Sequence, residues 1–324
     1  MRQIPLDAIT DAARHVYKAA VRTPLVKLDL PFTTGAGAQP EVYLKLESLQ
    51  PIGSFKIRGA WNAIRKLTPA QMQDGVWTVS AGNAAQGVAF AAKLAGVPCS
   101  VMVIETAPAT KLQSIERLGA TIVKASYDEC WRTVESHTSN RMRGHFVHPF
   151  DDDDFIAGNG TAGLEILEDL PDVDVVVAAL GGGGLLSGIG SAIRAKQPRV
   201  KIFAAEPETA APLALSLARG EASRFDAWKP SFVDGAGGKS VLPTMWPLLK
   251  TLVDDSIVMP LDDIAAAMRK AAERVHVVAE GAGGTAIAAA LSGRAGTGKI
   301  VAVVSGGNID LSRFSELVTT HANA

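Results

Sequence analysis

Four consecutive glycines, Gly181 to Gly184, follow the apolar run Val175 to Leu180 and precede Leu185 to Ala195, a segment that can form a helix. The stretch from Val175 to Ile193 is free of charge and, at nineteen residues, long enough to cross a bilayer, but six of the nineteen are glycine. Glycine on that scale unseats a membrane helix, so the stretch reads as a buried strand, a glycine turn and a helix. Lys201 to Ala205 supplies the next strand, with Glu206-Pro207 at its end, and the unit is βαβ. Such a unit requires a parallel sheet covered on both faces.

The alternation repeats along the chain. Val42 to Leu46 alternates as a strand, and after a turn at Pro51 the residues Ile57, Ala60, Trp61, Ile64 and Leu67 recur at helical spacing. Val76 to Val79 is a strand, Ser80 to Asn83 a turn, and a helix follows through Ala95. Val101 to Ile104 is a strand, Leu112, Ile115 and Leu118 mark a helix, and a further strand begins at Thr121. Residues 75–148 therefore read as a self-contained βαβα unit, an inserted smaller domain, with 1–74 and 149–324 as the large domain. Towards the end come a helix from Leu261 to about Val278, a small-residue helix after Gly281-Ala-Gly-Gly284, and the strand Ile300 to Val304. The expected fold is α/β, with open twisted, mostly parallel sheets and helices on both faces. The acidic run Asp151 to Asp154 reads as a solvated turn.

Charge and cysteine content narrow the function. Thirty-two Lys and Arg face thirty-three Asp and Glu, so there is no global field to gather nucleic acid or an anionic membrane. Cys99 and Cys130 form no disulfide framework and no zinc signature, and the first residues, which include Arg2, Asp7, Asp11 and Arg14, lack the core of a signal peptide. A cytoplasmic protein with a small-molecule partner is expected.

Four loops carry chemistry. In Gly53-Ser-Phe-Lys56-Ile-Arg-Gly59 a lysine opens a helix, where the positive helix pole and Arg58 would lower its pKa; an ordinary solvated charge is the other reading. Gly181 to Gly184 can gather backbone N–H groups on a phosphate. The dinucleotide fingerprint is not met, since Ser187 stands where the last glycine belongs, although Glu206 sits where a ribose-binding acid would, which keeps NAD as an alternative. Ser80-Ala-Gly-Asn-Ala84 offers N–H groups and an amide to a carboxylate, or simply caps a helix. Ser305-Gly-Gly-Asn308 places a hydroxyl at the carboxyl end of a parallel strand, where α/β folds bind ligands; a plain turn is the other reading.

In order and separation these four motifs resemble fold-type II pyridoxal-phosphate enzymes (tryptophan synthase β-like), most closely the branch of threonine/serine dehydratases (threonine ammonia-lyases) and serine racemases. The resemblance extends from about Arg22-Thr-Pro24 to Arg313 and includes His148-Pro-Phe-Asp151 and Ile156 to Thr161. It implies two domains and pyridoxal 5'-phosphate bound to Lys56 as a Schiff base. It further implies that Phe55 packs on the cofactor, that Asn83 bonds its ring hydroxyl, and that Gly181, Gly182, Gly183, Gly184 and Leu185 cradle its phosphate. Ser80, Ala81, Gly82, Asn83 and Ala84 would hold the substrate carboxylate. Ser305 would bond the pyridine nitrogen, and a neutral hydroxyl there weakens the electron sink, favouring β-elimination over transamination. Lys56 would be the base that takes the Cα proton, and the products a 2-oxo acid and ammonia.

Particular residues refine this expectation. Racemases of the branch have a proton-bearing serine where this chain has Ala81, and dehydratases commonly follow the asparagine with histidine where it has Ala84. Metal-binding members place carboxylates after the Glu206-Pro207 position, but the sixth residue after Glu206 is Pro212, so no metal is expected. The resemblance thus implies a dehydratase of L-threonine and/or L-serine that forms a homo-oligomer, a dimer, with a serine or hydroxy-aspartate racemase-dehydratase, a β-replacement enzyme, an NAD-binding protein and a non-catalytic binder as alternatives.

Overall fold

In a computed structural model of the chain, residues 2–30 and 40–320 are described. Ten strands are present among them: β1 (Leu25–Lys27), β2 (Glu41–Lys45), β3 (Val76–Val79), β4 (Cys99–Ile104), β5 (Thr121–Ala125), β6 (His145–Phe146), β7 (Val175–Ala179), β8 (Lys201–Pro207), β9 (Asp255–Met259) and β10 (Lys299–Val303). The helices are α1 (Leu6–His15), α2 (Lys56–Arg65), α3 (Pro69–Met72), α4 (Asn83–Ala95), α5 (Ala109–Glu116), α6 (Tyr127–Ser136) and α7 (Asp153–Asp169). They continue with α8 (Gly184–Lys196), α9 (Pro212–Arg219), α10 (Trp246–Leu252), α11 (Leu261–Val275), α12 (Gly281–Leu291) and α13 (Leu311–Thr320). No helix among the described residues is long and apolar enough to cross a membrane.

Two sheets form. The larger has the order β1-β2-β10-β7-β8-β9 and is parallel except for the β1–β2 pair; the smaller, β5-β4-β3-β6, is parallel throughout. Alternate residues of the central strands divide the interior. Val176 and Ala178 of β7, with Val301 and Val303 of β10, face one core shared with α7 and α8. Val175, Val177 and Ala179, with Ile300 and Ala302, face another shared with α11 and α12. The two-residue side-chain period of a strand produces this division, and it explains why β7 carries no polar face. In the smaller sheet Val76, Val101 and Val103 pack with Ile57, Trp61 and Ile64 of α2 and with α4. Trp77, Val79 and Met102 instead join Cys130 and Val134 of α6 in the first core.

Several expectations change. The acidic run is no solvated turn: Asp151 is buried, accepts from Thr244 Oγ1 at 2.5 Å and pairs with Arg2. Asp152 caps α7 by accepting the Phe155 N–H at 2.7 Å. Helix α7 shows no apolar stripe in the sequence because nearly its whole circumference is buried. Its close packing on α8 depends on glycine, since a Cβ at Gly188 would stand 2.5 Å from the Ile156 carbonyl oxygen. Helix α5 ends at Glu116, short of Leu118, and only Ile115 of its expected stripe is buried. Helix α11 stops at Val275, where His276 turns left-handed at φ 59°. Gly281 to Gly284 form the first turn of α12 rather than a loop before it.

Candidate active site

The expected motifs converge on one cavity of about 490 Å³, lined by Phe55, Lys56, Ser80 to Ala84, Gly181 to Leu185 and Ser305. Hydrogen bonds join segments far apart in sequence. The Phe55 N–H donates to the Ser305 carbonyl at 3.0 Å and the Gly307 N–H to the Gly53 carbonyl at 2.9 Å. The loops bearing the lysine and the serine are therefore one structural unit.

Lys56 is the first residue of α2, and its Nζ donates to the Pro149 carbonyl at 2.5 Å. The residue keeps some surface toward the cavity, but its ammonium is enclosed, and burial lowers its pKa to about 8 against the opposing charge of Glu280. Desolvation is thus the cause, and the expected contribution of Arg58 is corrected. The Arg58 guanidinium is wholly buried elsewhere, bonded to Glu47 at 2.7 and 2.8 Å and to Glu165 at 2.6 and 2.9 Å.

The glycine turn leads from β7 into α8. Gly183, at φ 94°, is the N-cap in the left-handed region, and a Cβ at Gly182 would lie 2.2 Å from the Phe150 ring. The N–H groups of Gly182, Gly183, Gly184 and Leu185 donate to no carbonyl or side chain among the described residues. Four such donors at the start of a thirteen-residue helix form a cradle for an anion.

Opposite, Ser80 to Ala84 connect β3 to α4. Gly82 differs from expectation: its N–H turns back to Ser80 Oγ at 3.1 Å, so that donor is engaged within the loop. Asn83 is held by partners on two sides. Its Nδ2 donates to Glu280 Oε1 at 2.7 Å, while its Oδ1 accepts from Asn308 Nδ2 at 2.7 Å. One amide hydrogen of Asn83 is left to serve a ligand. Ser305 is buried, and its hydroxyl has no hydrogen-bond partner among the described residues.

Glu280, Asn308, Pro149 and Phe150 also line the cavity, and nothing in the sequence assigned them a role. The motifs Ser305 to Asn308 and His148 to Asp151 contained three of them, but Glu280 had no signal beyond its place before the Gly281 run. Its second oxygen accepts the Asn308 N–H at 3.1 Å, and burial pushes its carboxyl up to about 8. Glu280→Gln should put an amide NH₂ against one of these two donors and weaken cofactor affinity about tenfold, the effect of one unpaired buried donor. Titration of apoprotein with cofactor measures this. A carboxyl raised from 4.5 to about 8 binds its proton more tightly in the folded state, so wild-type apoprotein should lose stability across that pH range. The Gln variant should lack that component in urea titrations.

Glu206 is buried and does not face the cavity. Its oxygens accept the Leu213 and Ala214 N–H groups, both at 2.8 Å, and the Ser256 hydroxyl at 2.6 Å. It therefore has no free edge for a ribose, which removes the basis of the NAD alternative.

Residues 16–306 match the family model described as "Pyridoxal-phosphate dependent enzyme". The chain is 40% identical to the L-threonine ammonia-lyase of Thermotoga maritima over 97% of its own length and 78% of the relative's. It is 35% identical to the serine racemase of Dictyostelium discoideum, covering 98% of this chain and 99% of that protein. The solved structure of maize serine racemase superposes with a TM-score of 0.85 at 32% identity, covering 99% of this chain and 98% of that one.

Proposed function

This chain belongs to the pyridoxal-phosphate dependent enzyme family, and from that premise we propose that it is an ammonia-lyase converting a small β-hydroxy amino acid, L-threonine or L-serine, to a 2-oxo acid and ammonia. The observation that carries the reading is the enclosed Lys56 amine, lowered to about 8, in the same cavity as an unpaired glycine N–H cradle.

The residues fit the cofactor. Four backbone N–H groups without acceptors suit a phosphate, the remaining Asn83 hydrogen suits a ring oxygen, and the unpartnered Ser305 hydroxyl suits a ring nitrogen. Phe55 would pack on the ring, and Lys56 would hold the group covalently. When bound, pyridoxal phosphate supplies an electron sink for charge developing at the substrate's Cα. Lys56 Nζ, once free and neutral, takes the Cα proton. Ser80 and the first-turn N–H groups of α4, from Asn83 and Ala84, hold the substrate carboxylate. Ala81 offers only a methyl group, so it cannot return a proton from the other side of the substrate.

Residues 75–148, which contain every strand of the smaller sheet, would act as the substrate-closing domain, with 1–74 and 149–324 as the cofactor-binding domain. A homodimer is proposed on the family likeness alone. A cytoplasmic location is consistent with the free thiols of Cys99 and Cys130.

Incubation with L-serine tests the assignment. Pyruvate and ammonia should form, with D-serine only as a trace in chiral analysis. D-serine forming as fast as pyruvate would replace the lyase reading with a racemase one.

A further inference from the structure

One wall of the cavity comes from α6 and the end of β4. Tyr127, Cys130, Trp131 and Val134 line it at the i, i+3, i+4, i+7 spacing of one helix face, joined by Ile104. Cys130 and Val134 are buried. The polar edge of Trp131 is committed along its own helix, where Nε1 donates to Glu135 Oε1 at 2.8 Å. The Tyr127 ring lies 4.5 Å from Lys239 Nζ, which is also 4.3 Å from the Trp228 ring. The charged groups that share the cavity are engaged as well: Lys111 pairs with Asp234, and Glu280 accepts from Asn83 and Asn308. The Tyr127 hydroxyl apart, the wall is therefore apolar on its cavity side; of the cations that line the cavity Lys111 is paired, while Lys239 lies outside the lining against the Tyr127 and Trp228 rings.

We propose that the α6 wall selects the substrate's β-substituent. It favours β-hydroxy amino acids carrying an alkyl or aryl group larger than the methyl of threonine, and disfavours both serine and substrates with a second carboxylate. The inference rests on the lyase reading for its chemistry and on the wall for its selectivity. Each methylene laid on such a surface strengthens binding about fourfold. A second carboxylate would lose its hydration there with no cation to replace it. A cavity of about 490 Å³ is in the range that encloses a drug-sized ligand, which leaves space for a longer side chain beside the cofactor.

The test uses holoenzyme and two readouts. Calorimetric binding of L-alanine, L-2-aminobutyrate, L-norvaline and L-aspartate, none with a β-hydroxyl to eliminate, should show Kd falling about fourfold per added methylene, with aspartate weaker than alanine. The kcat/KM values for L-serine, L-threonine, 3-hydroxynorvaline, 3-phenylserine and 3-hydroxyaspartate should follow the same trend. Trp131→Lys combined with Glu135→Gln, which removes the i+4 carboxylate that would otherwise pair with it, should reverse the order of norvaline and aspartate by adding a free cation. The near-isosteric Val134→Thr should flatten the series even where the first variant folds poorly. Equal binding of norvaline and aspartate by wild-type protein overturns the inference. Elimination of serine and threonine with a flat binding series leaves the lyase reading intact and rejects the wall; a graded series with no ammonia from any substrate supports the wall and rejects the lyase reading.

Discussion

Lys56→Ala protein should lose turnover by about 10⁴-fold or more, because under the proposed function one substitution would remove both the covalent attachment for the cofactor and the base for the Cα proton. The fold should survive: the lysine side chain makes one hydrogen bond, to the Pro149 carbonyl, and its enclosed amine is already unfavourable to bury in charged form. Borohydride reduction of wild-type holoenzyme followed by peptide mapping should place the pyridoxyl group on Lys56, and a label on another lysine would reject the assignment. The pH dependence has a definite sign. An amine acts as a base only when neutral, and burial lowers this one to about 8, so kcat should rise as pH approaches 8 and level off above it.

Arg58→Met should give the largest loss of stability. Arg58 and Lys45 are wholly buried with Glu47 and Glu165, in a cluster of two cations and two carboxylates. Lys45 lies 2.6 Å from Glu165, and Thr23 donates to Glu47 at 2.6 Å. Removing the guanidinium leaves buried carboxylates short of a partner, which costs about 3–5 kcal/mol. Urea denaturation of apoprotein measures this, and Arg58→Lys should recover only part, since an ammonium cannot bond both carboxylates in fork geometry. In the wild-type protein burial pushes Glu165 up, but Arg58 and Lys45 more than compensate and hold it below the ordinary carboxylate value. Without Arg58 that balance shifts toward burial, so the variant's deficit should shrink as pH falls and Glu165 takes up a proton. A deficit independent of pH would assign the effect to packing. Because α2 carries both Lys56 and Arg58, the cluster also fixes the helix that presents the Lys56 amine to the cavity.

Local pattern was enough for much of the fold. Val175 to Leu180 could be read as a doubly buried parallel strand because it has no polar alternation, one residue longer than the observed Val175–Ala179, and Val76 to Val79 matches its observed strand at both ends. Helix α7 was missed for a related reason: a helix buried on nearly all sides loses its stripe, and its glycines, read singly, look like breakers. Their value lies in the contact with α8, which depends on a neighbour elsewhere in the chain.

The same division applies to the site. The sequence by itself determined the residues with chemistry of their own: an amine at a helix start, glycines at a strand end, an amide and a hydroxyl on neighbouring loops. Each is recognisable locally because backbone conformation and side-chain type decide what it can donate or accept. Only the tertiary structure decided how those groups behave. It enclosed Lys56, so that desolvation rather than Arg58 lowers its pKa, and it brought Glu280 and Asn308 against Asn83, fixing which amide hydrogen remains free. It also turned the Gly82 N–H inward and set the α6 face across the cavity. Desolvation and hydrogen-bond pairing depend on every group that surrounds an atom, and in this chain those groups come from segments as far apart as Asn83 and Asn308.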